Sequence, residues 1–420
     1  YFCHCQNWEA IRPDDVLMVE NKIRTWISND HPLEEIRFPK IELLKYFENA
    51  GMVNKMEITE CWQEDLVPAT RFGDILDYRF EPICKDKSKL SNFQLMSYDH
   101  GMLIRFPSII HPGHIQPFTD RPHLFGIIEE YENWGKVLNV ENIRELNDAV
   151  RNGSIRELAW VAEGLHEKKV SQIADSLCSQ FPRSRVISIS GPSSSGKTTF
   201  AKRLSIQLHV NGFTTQHMSM DDYFMDRDQI PKNESGEQDF EAFEVLNSNM
   251  LCDDLQTLLS GGTIGKQKYD FATGKGSVTN EEISLDRKEF IMLEGIHGLN
   301  PHLKHCAGNN QMTNIYVSAI TQLNIDADHR FSTSDNRLLR RIIRDYKFRN
   351  YTPDETISRW PSVRLGEEKN IFPYQDQAQH YFNSALIYEL PVLASDVLPL
   401  LNGKDDDGYL SVQKKRLKTL

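Results

Sequence analysis

At 420 residues, with 39% hydrophobic and 26% charged residues, the chain is an ordinary globular sequence with length for two or three domains. Its formal net charge of −12 disfavours non-specific attraction to nucleic acid or to an anionic membrane. No apolar run approaches the length of a membrane span and no secretory signal opens the chain, while the seven cysteines are odd in number and scattered, unlike a disulfide framework. A reducing, cytoplasmic compartment is therefore expected. The first residue is Tyr1 rather than Met, so native residues are expected ahead of it.

Residues 1–150 read as α+β. Pro13-Asp14-Asp15 is a helix-start signal, and Val16, Val19, Ile23 and Trp26 fall on one helical face. A second short helix is expected from Ile41 to Gly51, with the glycine as its stop. From about Thr59 to Glu130 short apolar pieces rich in Pro, Gly and His predict strands and loops. Glu141 to about Leu177 is helical again, broken near Asn152-Gly153, and the pattern places a domain boundary near residue 150. Cys3-His4-Cys5 has no partner ligands at metal-site spacing and is read as structural. Near the other end, Lys404-Asp-Asp-Asp-Gly408 reads as a solvated turn.

Residues 151–420 open with a long helix that delivers the chain to the apolar run Val186–Ile189. Gly191-Pro-Ser-Ser-Ser-Gly196-Lys197-Thr198 follows, and Phe200–Leu208 reads as a helix. Strand, GxxxxGK[ST] loop and helix in that order form a phosphate cradle, with backbone N–H groups and a helix N-terminus turned toward the anion. Gly191, Ser193, Ser194, Ser195, Gly196, Lys197, Thr198 and Thr199 are the expected nucleotide-binding positions. Lys197 would bridge the β- and γ-phosphates and Thr198 would ligate Mg²⁺.

Apolar strand-like runs then alternate with helical ones: Phe213–Met220, a helical segment around Val245–Leu259, Phe290–Leu293 and Ile315–Ala319. The alternation predicts a mostly parallel sheet covered by helices, with ligands at the carboxyl ends of the strands. A carboxylate of the pair Asp221-Asp222, after the second strand, is placed to orient an acceptor hydroxyl and take its proton. Glu294 ends a later strand and suits the Mg²⁺ shell with Thr198. Neighbouring His297, a lone histidine, is assigned no role. Arg337, Arg340, Arg341 and Arg344 share one helix face, where phosphates drawn in under a closing lid would compensate their charge.

Together these motifs resemble the uridine kinase branch of the P-loop kinases, which also includes phosphoribulokinase and pantothenate kinase relatives. The resemblance spans roughly residues 155–395 through Gly191–Thr198, Ser219–Phe224, Tyr269-Asp270-Phe271, Glu294-Gly-Ile296 and Asp326-Ala-Asp328 with Arg337–Asp345. It implies an α/β P-loop kinase fold using ATP and Mg²⁺, with Asp221 as catalytic base and Lys197, Arg340 and Arg344 stabilising the transferred charge. Gln238-Asp239-Phe240-Glu241 and Tyr269 are the implied acceptor-binding positions, with Asp239 on ribose hydroxyls and the Tyr269 ring beside the sugar or base, and Arg337 and Arg341 as further substrate contacts. Pyrimidine-specific members carry a base-reading histidine five residues after the tyrosine. Gly274 stands there in this chain, so uridine/cytidine specificity does not follow.

The front of the chain resembles the second additional, editing-type domain of threonyl- and alanyl-tRNA synthetases, through Tyr1–Cys5, Pro13–Ile23 and Glu60–Thr70. Asp65 replaces the histidine that would follow Cys61 in that domain's metal site, so a zinc site lacks visible ligands. The implied activity is phosphorylation of a small-molecule hydroxyl, foremost the 5′-hydroxyl of a nucleoside. One rival changes the acceptor to a sugar phosphate or vitamin. Another keeps the nucleotide site as a sensor linked to RNA through the front domain, against which the acidic charge argues. No membrane partner is expected, and a homo-oligomer is allowed.

Overall fold

The computed structural model describes residues 1–4, 11–28, 32–81, 83–84, 86–108, 110–231, 236, 238–308, 311–402 and 409–419. Cys5 and the acidic stretch 404–408 lie outside the described residues. The chain divides into one unit of Tyr1–Asp120 with Lys415–Leu420 and another of Arg121–Lys414.

The first unit contains β1 (Phe2–His4), α1 (Pro13–Ser28), β2 (Leu33–Pro39), α2 (Lys40–Asn49), α3 (Val53–Cys61), β3 (Leu66–Phe72), β4 (Ile75–Tyr78), α4 (Lys87–Leu90), β5 (Gln94–Tyr98) and β6 (Gly101–Arg105). Two three-stranded antiparallel sheets result, β1-β6-β5 and β2-β3-β4. The apolar face of α1 lays Val16, Val19 and Ile23 against Phe93, Leu95 and Met102. Trp26 on the same stripe stays 37% exposed. In the other sheet Leu43 and Phe47 of α2 pack with Val67 and Tyr78. Cys61 ends α3 as an exposed residue, its thiol on the Glu57 carbonyl, and the strand starts only at Leu66.

The second unit contains α5 (Pro122–Leu138), α6 (Ile143–Arg151), α7 (Ile155–Gln180), β7 (Val186–Ser190), α8 (Lys197–Val210), β8 (Thr214–Ser219), α9 (Ser248–Leu259), β9 (Ile264–Asp270), β10 (Lys275–Ile283), β11 (Glu289–Glu294), β12 (Met312–Ser318), α10 (Thr333–Phe348), α11 (Pro353–Asn370), β13 (His380–Asn383) and α12 (Glu389–Leu401). A last helix, α13, spans Tyr409–Thr419.

Two expectations differ from this layout. Residues 122–130, read as strand and loop, begin a helix: Pro122 sits in the first turn and Ile127, Tyr131 and Gly135 line its buried face. The division falls after Asp120 rather than near residue 150, because Leu146 and Ala149 of α6 and Leu158 and Ala162 of α7 pack with Leu323 and Ile387.

At the centre is a five-stranded sheet ordered β13-β12-β7-β11-β8, parallel throughout. It is buried on both faces, which is why its strands read as near-continuous apolar runs. Ile187, Ile189, Phe290, Met292, Ile315 and Val317 face α7 and α8. Val186, Ile291 and Leu293 face the opposite layer, with Leu251 and Leu255 of α9. Register aligns the carboxyl ends: Glu294 pairs with Ile189 of β7 and with Ser219 of β8. The segments after β7, β8 and β11 are thereby brought to one edge. The antiparallel hairpin β9-β10 stands apart from this sheet.

The scatter of the cysteines gave no sign of pairing, yet Cys252 of α9 and Cys306 form a disulfide with a Cα–Cα distance of 4.3 Å. Among the described residues, no helix is long and apolar enough to cross a membrane.

Candidate active site

The loop between β7 and α8 is shaped by close approach. A Cβ on Gly191 would lie 2.1 Å from the Val317 carbonyl oxygen, so only glycine lets the backbone pass there. Lys197 opens α8 and donates from Nζ to the carbonyls of Gly191 (2.9 Å) and Pro192 (3.2 Å). Desolvation holds its pKa below the ordinary lysine value, although Glu294 and Asp221 pull the other way.

A cavity of about 1740 Å³ opens over this loop. Small-molecule sites usually occupy about 300–1,000 Å³, so there is room for two ligands side by side. Ser193, Ser194, Gly196, Lys197, Thr198 and Thr199 line it, whereas Gly191 and Ser195 lie buried behind. Asp221, Glu294, Arg340, Arg341 and Arg344 reach the same cavity from three different segments.

Glu294 accepts a hydrogen bond from Thr198 Oγ1 at 2.8 Å. A hydroxyl and a carboxylate side by side, with Asp221 acting on the same Lys197, make a hard oxygen donor set of the kind Mg²⁺ takes. Ser219 caps the turn after β8 by accepting from the Asp221 N–H at 3.3 Å. Desolvation raises the Asp221 pKa, opposed first by Lys197 and reinforced by Glu294. Its neighbour Asp222 is used structurally, accepting from the Tyr269 N–H (3.2 Å) and lying 3.3 Å from Lys268 Nζ.

The arginine face of α10 divides by role. Arg340 donates to Ser384 Oγ at 2.8 Å and pairs with Glu389, and Ser384 Oγ in turn donates to the Ser195 carbonyl at 2.6 Å. Arg341 donates to Ser193 Oγ at 2.9 Å, and both Arg341 and Arg344 lean on Asp345. Arg337 requires a correction as a substrate contact. Its side chain is 2% exposed, ion-paired with Glu367 and bonded through Nε to the Ser193 carbonyl. It braces the loop from behind.

Asp239 and Tyr269 likewise stand outside the cavity lining. The Asp239 carboxylate accepts from the Glu241 N–H at 3.1 Å and does not line the cavity. Tyr269 is 2% exposed, its ring behind Phe224 and Phe271 at centroid distances of 5.6 and 5.0 Å. The residues that do line this end are Phe224, Arg227, Gln238, Phe240, Glu241 and Phe271. Desolvation pushes the Glu241 pKa up to about 7, against the pull of Arg341.

Glu241 belongs to the implied acceptor segment Gln238-Asp239-Phe240-Glu241, two positions after Asp239. Ser384 and Glu367 carried no signal, since long-range folding alone brings them to the loop. His297 is buried against Phe243 at 5.6 Å, and burial pushes its pKa down to about 4, leaving it neutral.

The chain matches the family model described as "Phosphoribulokinase / Uridine kinase family" over residues 186–386. It is similar to the uridine kinase of Bacillus cereus, 32% identical over 179 residues, 42% of this chain and 74% of that protein. The uridine kinase of Anoxybacillus flavithermus is 29% identical over 178 residues, 42% of this chain and 75% of that protein. Among solved structures, D-glycerate 3-kinase from Cryptococcus neoformans aligns at 13% identity and a TM-score of 0.35, covering 49% of this chain and 89% of that one.

Proposed function

Because the chain belongs to the phosphoribulokinase/uridine kinase family and is a P-loop kinase, we propose that it transfers the γ-phosphoryl group of ATP to the 5′-hydroxyl of a nucleoside, with Mg²⁺, in the cytoplasm. The observation that carries this reading is the convergence of Lys197, Asp221, Glu294, Arg340, Arg341 and Arg344 on one cavity.

In this reading Lys197 exchanges its contacts with the loop carbonyls for phosphate oxygens. Thr198 and Glu294 would hold the magnesium ion, whose chemistry when bound would be to neutralise phosphate charge. Asp221 orients the acceptor hydroxyl and takes its proton, and its raised pKa makes it a stronger base than an exposed aspartate. Glu241 is suited to hold neighbouring hydroxyls of the acceptor sugar from the same wall. Arg341 and Arg344 add positive charge where the phosphoryl group passes, and Arg340 anchors Ser384 against the loop. Phosphoryl transfer asks for positioning and charge compensation more than covalent chemistry.

The test is ADP release from ATP and Mg²⁺ against a panel of nucleosides, ribulose 5-phosphate and pantothenate, with Asp221→Asn alongside. Stimulation by nucleosides that is lost in Asp221→Asn, with ATP still bound, is the expected result. Stimulation by another member of the panel transfers the assignment to that acceptor, and ATP binding without turnover on any of them favours a sensor.

A further inference from the structure

Gly366 stands inside α11, where a glycine weakens the helix relative to alanine and so calls for a reason. Its φ lies outside the left-handed region, so backbone conformation does not require it. Close approach does. A Cβ at Gly366 would lie 2.3 Å from Cβ and 2.8 Å from Cγ of Glu241, the acid in the cavity wall. The Glu241 Cβ is fixed to its own backbone, so no change of rotamer relieves that contact. Helix and acceptor segment meet there with no side chain between them.

The backbone of Glu241 is tied on both sides. Its carbonyl accepts from Asn370 Nδ2 at 2.8 Å, and its N–H donates to Asp239 Oδ1 at 3.1 Å. Gly366 and Asn370 are four residues apart and hence neighbours on one face of α11. Between them in sequence, Glu367 accepts from the Ser193 N–H at 3.1 Å. A single turn of α11 therefore holds both the segment that carries Glu241 and the loop that leads into Lys197. One and two turns earlier, Val363, Ser362 and Arg359 of the same helix line the cavity.

We infer that Gly366 and Asn370 are positioning residues for the acceptor: they seat Glu241 at a set distance from the nucleotide loop, so that a substrate held by Glu241 is presented to the phosphates. This rests on the reading above, in which Glu241 holds acceptor hydroxyls. Neither Gly366 nor Asn370 lines the cavity, so both act through Glu241. Misplacing a substrate-holding group by about 1 Å costs on the order of a hundredfold in rate.

The test is steady-state kinetics, on the acceptor that the panel identifies, for the wild type, Gly366→Ala, Asn370→Asp, Glu241→Ala and the double variant Asn370→Asp/Glu241→Ala, with melting temperatures alongside. Asn370→Asp keeps the size but sets an acceptor against the Glu241 carbonyl. In Gly366→Ala, kcat/KM for the acceptor is expected to fall by about ten- to hundredfold, and in Asn370→Asp by about tenfold, with KM for ATP within about twofold of wild type. Asn370→Asp is expected to add little once Glu241 is replaced by alanine, because its effect passes through that side chain. Equal changes in KM for ATP and for the acceptor in folded variants overturn the inference, as does a full effect of Asn370→Asp in the Glu241→Ala background. Should Gly366→Ala fail to fold, Asn370→Asp and its double variant carry the test. Turnover of a sugar phosphate or vitamin in place of nucleosides removes the nucleoside reading and leaves the positioning role to be read on that acceptor. No turnover with any acceptor removes both.

Discussion

Arg337 and Glu367 form a buried ion pair directly behind the nucleotide loop, and both reach Ser193: Glu367 Oε1 accepts from the Ser193 N–H at 3.1 Å, while Arg337 Nε donates to its carbonyl at 2.9 Å. The pair connects α10 and α11 to the loop through the backbone of one residue. Arg337 also lies over the Trp360 ring, 5.3 Å from its centroid.

Removing Glu367 leaves Arg337 buried and uncompensated, whereas removing Arg337 leaves Glu367 with Arg364, 3.0 Å away. Glu367→Leu is expected to destabilise the second unit by about 3–5 kcal/mol, Arg337→Met by less, and the double replacement by distinctly less than the sum. Denaturant unfolding of the three variants measures this. If the double variant loses the sum of the singles, the two side chains are not acting as a pair.

Asp221→Asn keeps shape and most polarity but removes the base. The expected loss in kcat is about 10²–10⁴-fold with little change in ATP affinity. Because desolvation raises the Asp221 pKa, the acid limb of the pH–rate profile should lie above the range of an exposed aspartate. A limb unchanged in Asp221→Asn would assign it to another group.

Glu241 links the site to stability through pH. Its carboxyl is pushed up from 4.5 to about 7 in the folded protein, so the folded state binds that proton more tightly than the unfolded chain. The associated stabilisation is full below the unfolded value and is lost as pH rises through about 7, leaving an ionised group that costs stability above it. Glu241→Gln, a mimic of the neutral form, should therefore raise Tm at about pH 8, hardly change it at about pH 4, and weaken acceptor binding. Calorimetry at the two pH values checks the sign, and an equal shift at both would show that titration is not the cause.

Thr198 and Glu294 share one hydrogen bond and one proposed ion. Thr198→Ala is expected to shift the Mg²⁺ dependence of turnover to higher concentration, by about tenfold, while leaving the fold intact because Thr198 is exposed. Magnesium titrations of initial rate read this directly, and an unchanged midpoint would place the metal elsewhere.

The sequence by itself determined the parallel sheet, the loop and the acids at its edge. These are local signals: apolar runs of strand length, glycines at fixed spacing and a helix immediately after them. Position alone left the pair Asp221-Asp222 open, and of the two Asp221 lines the cavity while Asp222 accepts from the Tyr269 N–H. Tertiary structure alone decided which members of each motif face the ligand space. Helical periodicity put four arginines on one stripe, but a stripe is wide, and packing against α11 turned Arg337 inward onto Glu367. In the acceptor segment, a short irregular turn sends Asp239 to its own backbone and Glu241 into the cavity, an orientation that no period encodes. Ser384, Glu367 and Arg227 became neighbours of the site through contacts distant in sequence, because strand order and hairpin docking, not spacing along the chain, set what meets at the carboxyl edge.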